Sequence, residues 1–311
     1  MKEIIVDAAN ENQRFDKYLK RILSQASSSF IYKMLRKKNI VLNGKKADGS
    51  EKLLAGDSIK IFFSDETYDK MTGVDTKISA LLPFQNISSA IDIVYEDQDI
   101  IIINKPTGIL SQKAVDSDIS INEMAIAYMV KNGELTEESY KLFHPSVVNR
   151  LDRNTSGIII FAKNLHAAQT YSTYLNERSC VKLYHAIVAG QVTKPSLISG
   201  YLYKDPNSNK VTITDTPSQN AKAIKTSYRP LKALDNNLTL LEIHLITGRS
   251  HQIRAHLASI GHPLLGDFKY GNAALNKKLK AKNQFLHAYS IEFEDGRKYI
   301  AQEPAEYNVY L

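Results

Sequence analysis

The 311-residue chain has a single cysteine, Cys180. One thiol excludes an intrachain disulfide, and without a cysteine cluster there is no thiolate cage for a structural zinc. That usage fits a reducing compartment. Long apolar runs are missing too: none approaches the ~18 residues of a bilayer-spanning helix. The opening MKEIIVDAANENQRF has no apolar signal core. The chain is therefore expected to be soluble and cytoplasmic. Also absent are a phosphate-binding P-loop, a GxGxxG turn after a strand, a GxSxG elbow, an internal repeat and any low-complexity tract.

What is present is a chain 43% hydrophobic, enough to bury a real core, and long enough for one large domain plus a small one. Its positive charge is concentrated. Forty Lys and Arg against 33 Asp and Glu leave +7 overall, yet residues 14–63 hold 12 basic and 4 acidic side chains, so the remainder is near neutral. A polyanion is the natural partner of such a segment. Within it, Phe15, Leu19, Ile22 and Leu23, then Ile31, Met34 and Leu35 after ASSS, fall at helical spacing. Two short amphipathic helices are predicted, the second carrying Lys33, Arg36, Lys37 and Lys38 on its outer face and C-terminal end; a solvated charged face is the plain alternative. IVLNG reads as a strand entering an Asn43-Gly44 turn, and DSIKIFF alternates Ile59, Ile61 and Phe63 as another.

This divides the chain into a small domain at 1–64, an aperiodic linker at 65–90 and a large domain at 91–311. In the large domain IDIVYED and IIIINKPTG read as paired strands, and Ser120 with Glu123 as a capping box. Strands recur at 158–162, 183–189 and 238–246, with helical patterns at 165–177 and 250–259. That order suits a β-rich α+β domain better than regular βαβ alternation.

Three segments could carry chemistry. In VVNRLDRNTSGIIIFAKN, Asp152 lies between Arg150 and Arg153. A carboxylate so flanked is expected to stay ionised, making it a poor general acid but a fit nucleophile or charge stabiliser, unless it merely ties down a turn. In VKLYHAIVAG, alternation puts Tyr184 on one face with Lys182, offering a ring for stacking and a hydroxyl, although with 17 tyrosines in the chain an ordinary core role competes. In LEIHLITGRSHQIRAHLASIGHPLLGDFKYG, Arg249 falls where a strand gives way to a helix, an anion site by construction. His251, His256 and His262 do not suit a metal, since helix residues five apart point about 140° away from each other. Asp267, between Gly266 and Tyr270-Gly271, reads as turn chemistry. Glycoside hydrolysis would need two carboxylates across the scissile bond, and only one is offered around Asp152.

The segment FDKYLKRIL to GDSIKI, within residues 14–63, resembles the small RNA-binding domain first described in small-subunit ribosomal protein four, which implies contact with structured RNA through shape and phosphates. NRLDRNTSGIIIFAKN, KLYHAIVAG and LITGRSHQIRAHLASIGHPLLGDFKYG together resemble the RluA family of pseudouridine synthases, from about Ile91 to near residue 300. FIYKMLRKKNIVLNGKK and INKPTGI look most like the RluC branch, which modifies large-subunit (23S) ribosomal RNA.

The resemblance implies an α+β catalytic domain with a mixed, mostly antiparallel central sheet and flanking helices, preceded by a small α/β RNA-binding domain. It implies detachment of a uracil from its ribose, rotation, and reattachment through carbon. One carboxylate suffices because no water need be activated. Asp152 would be the catalytic aspartate; Arg150 would accompany extrusion of the nucleotide. Tyr184 would stack on the uracil and help remove the C5 proton. Arg249 would pair with Asp152, with Arg254 the second candidate. Arg153, His251 and Lys182 would add substrate contacts, and Lys33, Arg36, Lys37 and Lys38 would dock RNA. The family commonly has His where this chain has Asn149, which can still hydrogen-bond and hold the turn. No cofactor or metal is expected, the partner is large-subunit ribosomal RNA, and the protein is expected to be a monomer. Two rivals stay open: a transfer RNA synthase, and a non-catalytic factor that clamps RNA during ribosome assembly.

Overall fold

Helical spacing near the start of the chain is realised as Phe15–Ile22 and Ser28–Arg36. In this computed structural model, which describes residues 1–73, 79–205 and 210–310, the second helix is capped by Ser27, whose hydroxyl accepts the Phe30 N–H at 3.2 Å. Such a cap stabilises a helix by about 1 kcal/mol. Phe15, Leu19, Ile31 and Leu35 close on Ile40, Ile59 and Ile61 of an antiparallel sheet ordered Lys2–Ile5, Ser58–Ile61, Ile40–Leu42, Lys45–Lys46. Asn43 and Gly44 both have positive φ, as a tight two-residue hairpin requires.

Residues 65–90, expected to be an aperiodic linker, hold two helices on either side of 74–78, which lie outside the described residues. Asp65–Thr72 sets Tyr68 and Met71 against the small domain's core, while Leu82–Gln85 brings Phe84 onto the core around Ile101 and Ile103. Helices this short repeat the apolar spacing too few times for it to register.

The large domain is built on one sheet. From edge to edge it runs Val211–Thr214, Ser196–Lys204, Lys222–Leu234, Leu238–Leu245, Cys180–Ala189, Leu286–Phe293, Ser156–Ala162, Ile100–Lys105, Ile93–Glu96; Lys298–Ile300 flanks Leu286–Phe293, and Ser146–Val147 flanks Ser156–Ala162. The ladder between Leu286–Phe293 and Ser156–Ala162 is parallel and the others are antiparallel. With Ile121–Lys131, Leu165–Glu177 and Gln252–Ser259 as the longer flanking helices, the architecture is α+β. Ser120 and Glu123 form the expected capping box.

The parallel ladder is a seam between the two halves of the sheet. Ala288 faces Gly157, whose φ is 105° and where an added Cβ would lie 2.3 Å from the Ala288 carbonyl oxygen. Only glycine allows that approach. Beside it, buried His287 links Ser156 Oγ (2.9 Å, at Nδ1) to the Ala301 carbonyl (3.0 Å, at Nε2). Among the described residues no helix is long and apolar enough to cross a membrane.

Candidate active site

At the start of the Ser156–Ala162 strand the chain makes the turn that carries Asp152, and three anchors hold this turn. Asn149 donates Nδ2–H to the Ile158 carbonyl at 3.0 Å and accepts the Ile160 N–H at 2.7 Å, so its amide continues the strand ladder. The turn therefore stands with Asn in this position. Ser111 Oγ accepts the Leu151 N–H and donates to the Leu151 carbonyl, both at 2.9 Å.

The third anchor, Lys105, was not signalled as a site residue. It ends the buried Ile100–Lys105 strand, is itself fully buried, and donates Nζ–H to the carbonyls of Pro106 (2.8 Å), Ile109 (2.8 Å) and Arg153 (3.1 Å). Three acceptors match the three hydrogens of an ammonium. Burial works the other way and pushes the amine down to about 7, opposed by the negative charge of Asp152. A lysine closing a run of isoleucines and followed by proline was the available signal.

Asp152 meets an arginine, but not the expected one. Arg254 donates Nη1–H to Asp152 Oδ2 at 2.7 Å, while Arg249 is exposed and has no ion-pair partner among the described residues. The cause is local. His251 takes the left-handed conformation, φ 54°, so the helix begins at Gln252 rather than near 250, and Arg254 falls in its first turn facing the carboxylate. Arg249 is left on the preceding turn, its backbone N–H bound to Gln252 Oε1 at 3.1 Å.

Behind Arg254 stands Asp267, expected only to shape a turn. Its carboxylate, 1% exposed, takes Nε (2.7 Å) and Nη2 (2.9 Å) of the same guanidinium. It also accepts the N–H groups of Lys269 and Tyr270 at 2.8 and 3.1 Å, so the turn reading holds alongside a second role. Burial raises the Asp267 pKa, and Arg254 together with those N–H groups outweighs burial and keeps it below the usual carboxylate value. Burial likewise opposes the charge on Arg254, and the two carboxylates overcome it. The fork of Arg254 is thus fixed on one acid, and one of its remaining N–H groups reaches the other.

Asp152 and Arg254 line a cleft of about 670 Å³ at the seam, with Asp267 behind them. Tyr184, paired across the sheet with Ile243 and Ala288, forms part of its wall with Leu245, Ile253 and Leu286. Burial first, then the charge of Asp152, pushes its hydroxyl well above the usual phenol range. Lys182 shares that face as expected, and burial lowers its pKa. Arg150 and Arg153 are exposed at the mouth.

The three histidines go to three places. His251 lines the cleft, His256 is buried on Thr226 Oγ1 at 3.0 Å, and His262 meets the Ala189 carbonyl at 3.0 Å. Lys33, Arg36, Lys37 and Lys38 are exposed on the small domain, without carboxylate partners among the described residues.

A family model described as RNA pseudouridylate synthase matches residues 99–259, a span that includes Asp152, Tyr184 and Arg254. The chain belongs to this family. A ribosomal large subunit pseudouridine synthase C of Rickettsia conorii is 35% identical over 287 residues, covering 90% of this chain and 88% of that protein. An uncharacterized RNA pseudouridine synthase of Mycoplasma genitalium is 33% identical over 294 residues, covering 94% of this chain and 88% of that protein. Among solved structures, human RNA pseudouridylate synthase domain containing 1 shares the fold, with a TM-score of 0.57 at 21% identity, covering 70% of this chain and 84% of that one. As an RNA pseudouridine synthase the protein is an isomerase acting on RNA.

Proposed function

We propose that the protein isomerises uridines of large-subunit ribosomal RNA in the cytoplasm, working as a monomer, with Asp152 as the catalytic carboxylate. The observation that carries the catalytic assignment is the 2.7 Å contact of Arg254 with Asp152, in a cleft walled by buried Tyr184. Such a pair fixes the carboxylate and aims it where the C1′ or ring carbon of a flipped uridine would lie. Extrusion of that uridine costs a few kcal/mol. Arg150, exposed at the mouth, offsets part of it by stacking where the base has left. Tyr184, with its proton held fast, serves as a stacking face for the uracil.

The ribosomal address is supported by the names of the Rickettsia relatives and by the basic small domain, whose Lys33, Arg36, Lys37 and Lys38 dock the RNA through its phosphates. The test is a pseudouridine map of total RNA from a strain lacking the gene, rescued with the wild type or with Asp152→Ala. Large-subunit sites that vanish and return only with the wild type are expected. Sites returning with Asp152→Ala would overturn the catalytic role, and losses confined to transfer RNA would overturn the address.

A further inference from the structure

Isomerisation as proposed above employs Asp152, Arg254, Tyr184 and Arg150, and leaves one cation of the cleft wall without a stated task. Lys182 lies two residues before Tyr184 on the same face of the Cys180–Ala189 strand, half-buried and lining the cleft. Among the described residues no carboxylate or carbonyl receives its ammonium. Lys105 shows what a lysine buried for structure looks like, with three carbonyls for its three hydrogens. Lys182 has nothing of the kind.

What surrounds it is more positive charge. Its Nζ lies against the turn that carries Arg249, since a Cβ added at Gly248 would stand 4.0 Å from it. Arg178 lines the same cleft. Burial lowers the Lys182 pKa and the charge of Arg178 adds to that, against the Cys180 side chain. Asp152 does not balance this cluster: its charge acts on Tyr184, while no carboxylate acts on Lys182. Arg178 follows the helix Leu165–Glu177 at φ 61°, a left-handed position usually given to glycine or asparagine. A helix C-terminus favours a cation there, but that does not account for holding a strained arginine near a second unpartnered cation. Three cations gathered at one side of a cleft, one of them half-buried, repel each other until an anion joins them.

We propose that Lys182, Arg178 and Arg249 form a phosphate subsite, which grips one phosphate joined to the flipped uridine while its base lies on Tyr184. Residues two apart on a strand face stand about 7 Å from each other, comparable to the span from a pyrimidine ring to the phosphate of its own nucleotide. A half-buried ammonium inside the cleft is out of reach of a backbone lying across the mouth, so the phosphate arrives with the extruded nucleotide. The grip therefore belongs to the flipped state, where it offsets part of the cost of extrusion and holds the ribose still beside Asp152. The basic face of the small domain differs, because it meets phosphates before any base has moved. The inference rests on the uridine isomerisation given by the family and on Tyr184 as the stacking face proposed above.

The experiment compares the wild type with Lys182→Gln, Arg178→Gln, their double variant, and the triple variant that adds Arg249→Gln, on total RNA from the deletion strain. Single-turnover time courses at increasing enzyme concentration separate the saturating rate from the half-saturating concentration. Lys182→Gln should lower the saturating rate on the order of tenfold to a hundredfold, as for loss of a hydrogen bond to a charged group, and change half-saturation little. Arg178→Gln should lower it less, and should cost less again when Lys182 is already gone, because the two share one partner. The log–log salt slope of rate over half-saturation should become shallower by roughly 0.7–0.9 in Lys182→Gln, and by no more in the triple variant, as one phosphate requires. The melting temperature of Lys182→Gln should not fall, since the lost charge had no partner to lose. A wild-type rate in Lys182→Gln, a loss confined to half-saturation, a slope that falls three times as far in the triple variant, or a lowered melting temperature overturns the proposal. Rates are read at whichever sites the wild type converts, so a transfer RNA address would sink the ribosomal reading while leaving this test intact.

Discussion

Asp267 shows how a residue that never reaches the cleft governs one that does. With two of its N–H groups committed to a buried carboxylate, Arg254 offers Asp152 one N–H in one place. Asp267→Asn keeps the turn hydrogen bonds but halves the fork, so kcat should fall on the order of tenfold to a hundredfold while KM changes little. Breaking a buried pair costs about 3–5 kcal/mol, which thermal denaturation will register. The pH dependence follows from the lowered Asp267 pKa. Because the folded value lies below the unfolded one, the stabilisation is complete above the usual carboxylate value and disappears only as pH falls through the folded value. The stabilisation is therefore complete across the neutral range, and a stability change in Asp267→Asn should be flat between pH 6 and 8. At this scale the sequence was legible where chemistry is announced by neighbours: Asp152 between two arginines, Tyr184 facing Lys182. It misled where a single backbone torsion decides, since the left-handed His251 exchanges Arg249 for Arg254 and nothing in spacing foretells it.

Elements were legible in proportion to their length and regularity. The helix at Leu165–Glu177 and the paired strands Ile93–Glu96 and Ile100–Lys105 follow their patterns closely. The strands Ser196–Lys204 and Lys222–Leu234 were not foreseen, because both keep many exposed or half-exposed residues and the second contains a proline and a register shift. Two predictions belong here. Reversing charge at Lys33, Arg36, Lys37 and Lys38 should weaken RNA binding and flatten the log–log salt slope by up to about three units, since each phosphate contact contributes roughly 0.7–0.9. Filter binding across salt concentrations measures it, and an unaltered slope would mean a merely solvated face. Gly157→Ala should abolish the soluble folded protein or lower its melting temperature sharply. The added carbon meets backbone on the neighbouring strand, which cannot swing aside as a side chain could.

Across the whole molecule, burial lowers the pKa of five histidines: His144, His244, His251, His256 and His287. All five take a proton less readily in the folded chain than once unfolded, where they titrate near pH 6.5. The unfolded state then binds more protons, so stability is complete above that value and declines as pH drops from it toward the folded values. The melting temperature should fall between pH 7 and 5, by roughly 2 °C for each kcal/mol lost, and His287→Gln should make the decline shallower. The two N-terminal helices and the Asn43-Gly44 hairpin could be read from spacing and turn residues, whereas the closing of the large sheet could not, because strand order is a property of distant pairs.

That strand order sets a timetable. Leu286–Phe293 lies between Ser156–Ala162 and Cys180–Ala189, which are made long before it. Until it arrives, each half of the sheet has an open edge, Gly157 has no neighbour to approach, and the turn bearing Asp152 lacks the Gln284 amide that donates to Thr155 at 2.6 Å. A growing chain on the ribosome therefore carries every residue of the Arg254–Asp152 pair without a seam to hold it. The cleft can take its shape only once that strand has been made, and a product released before it carries the Arg254–Asp152 pair on two separate halves of a sheet.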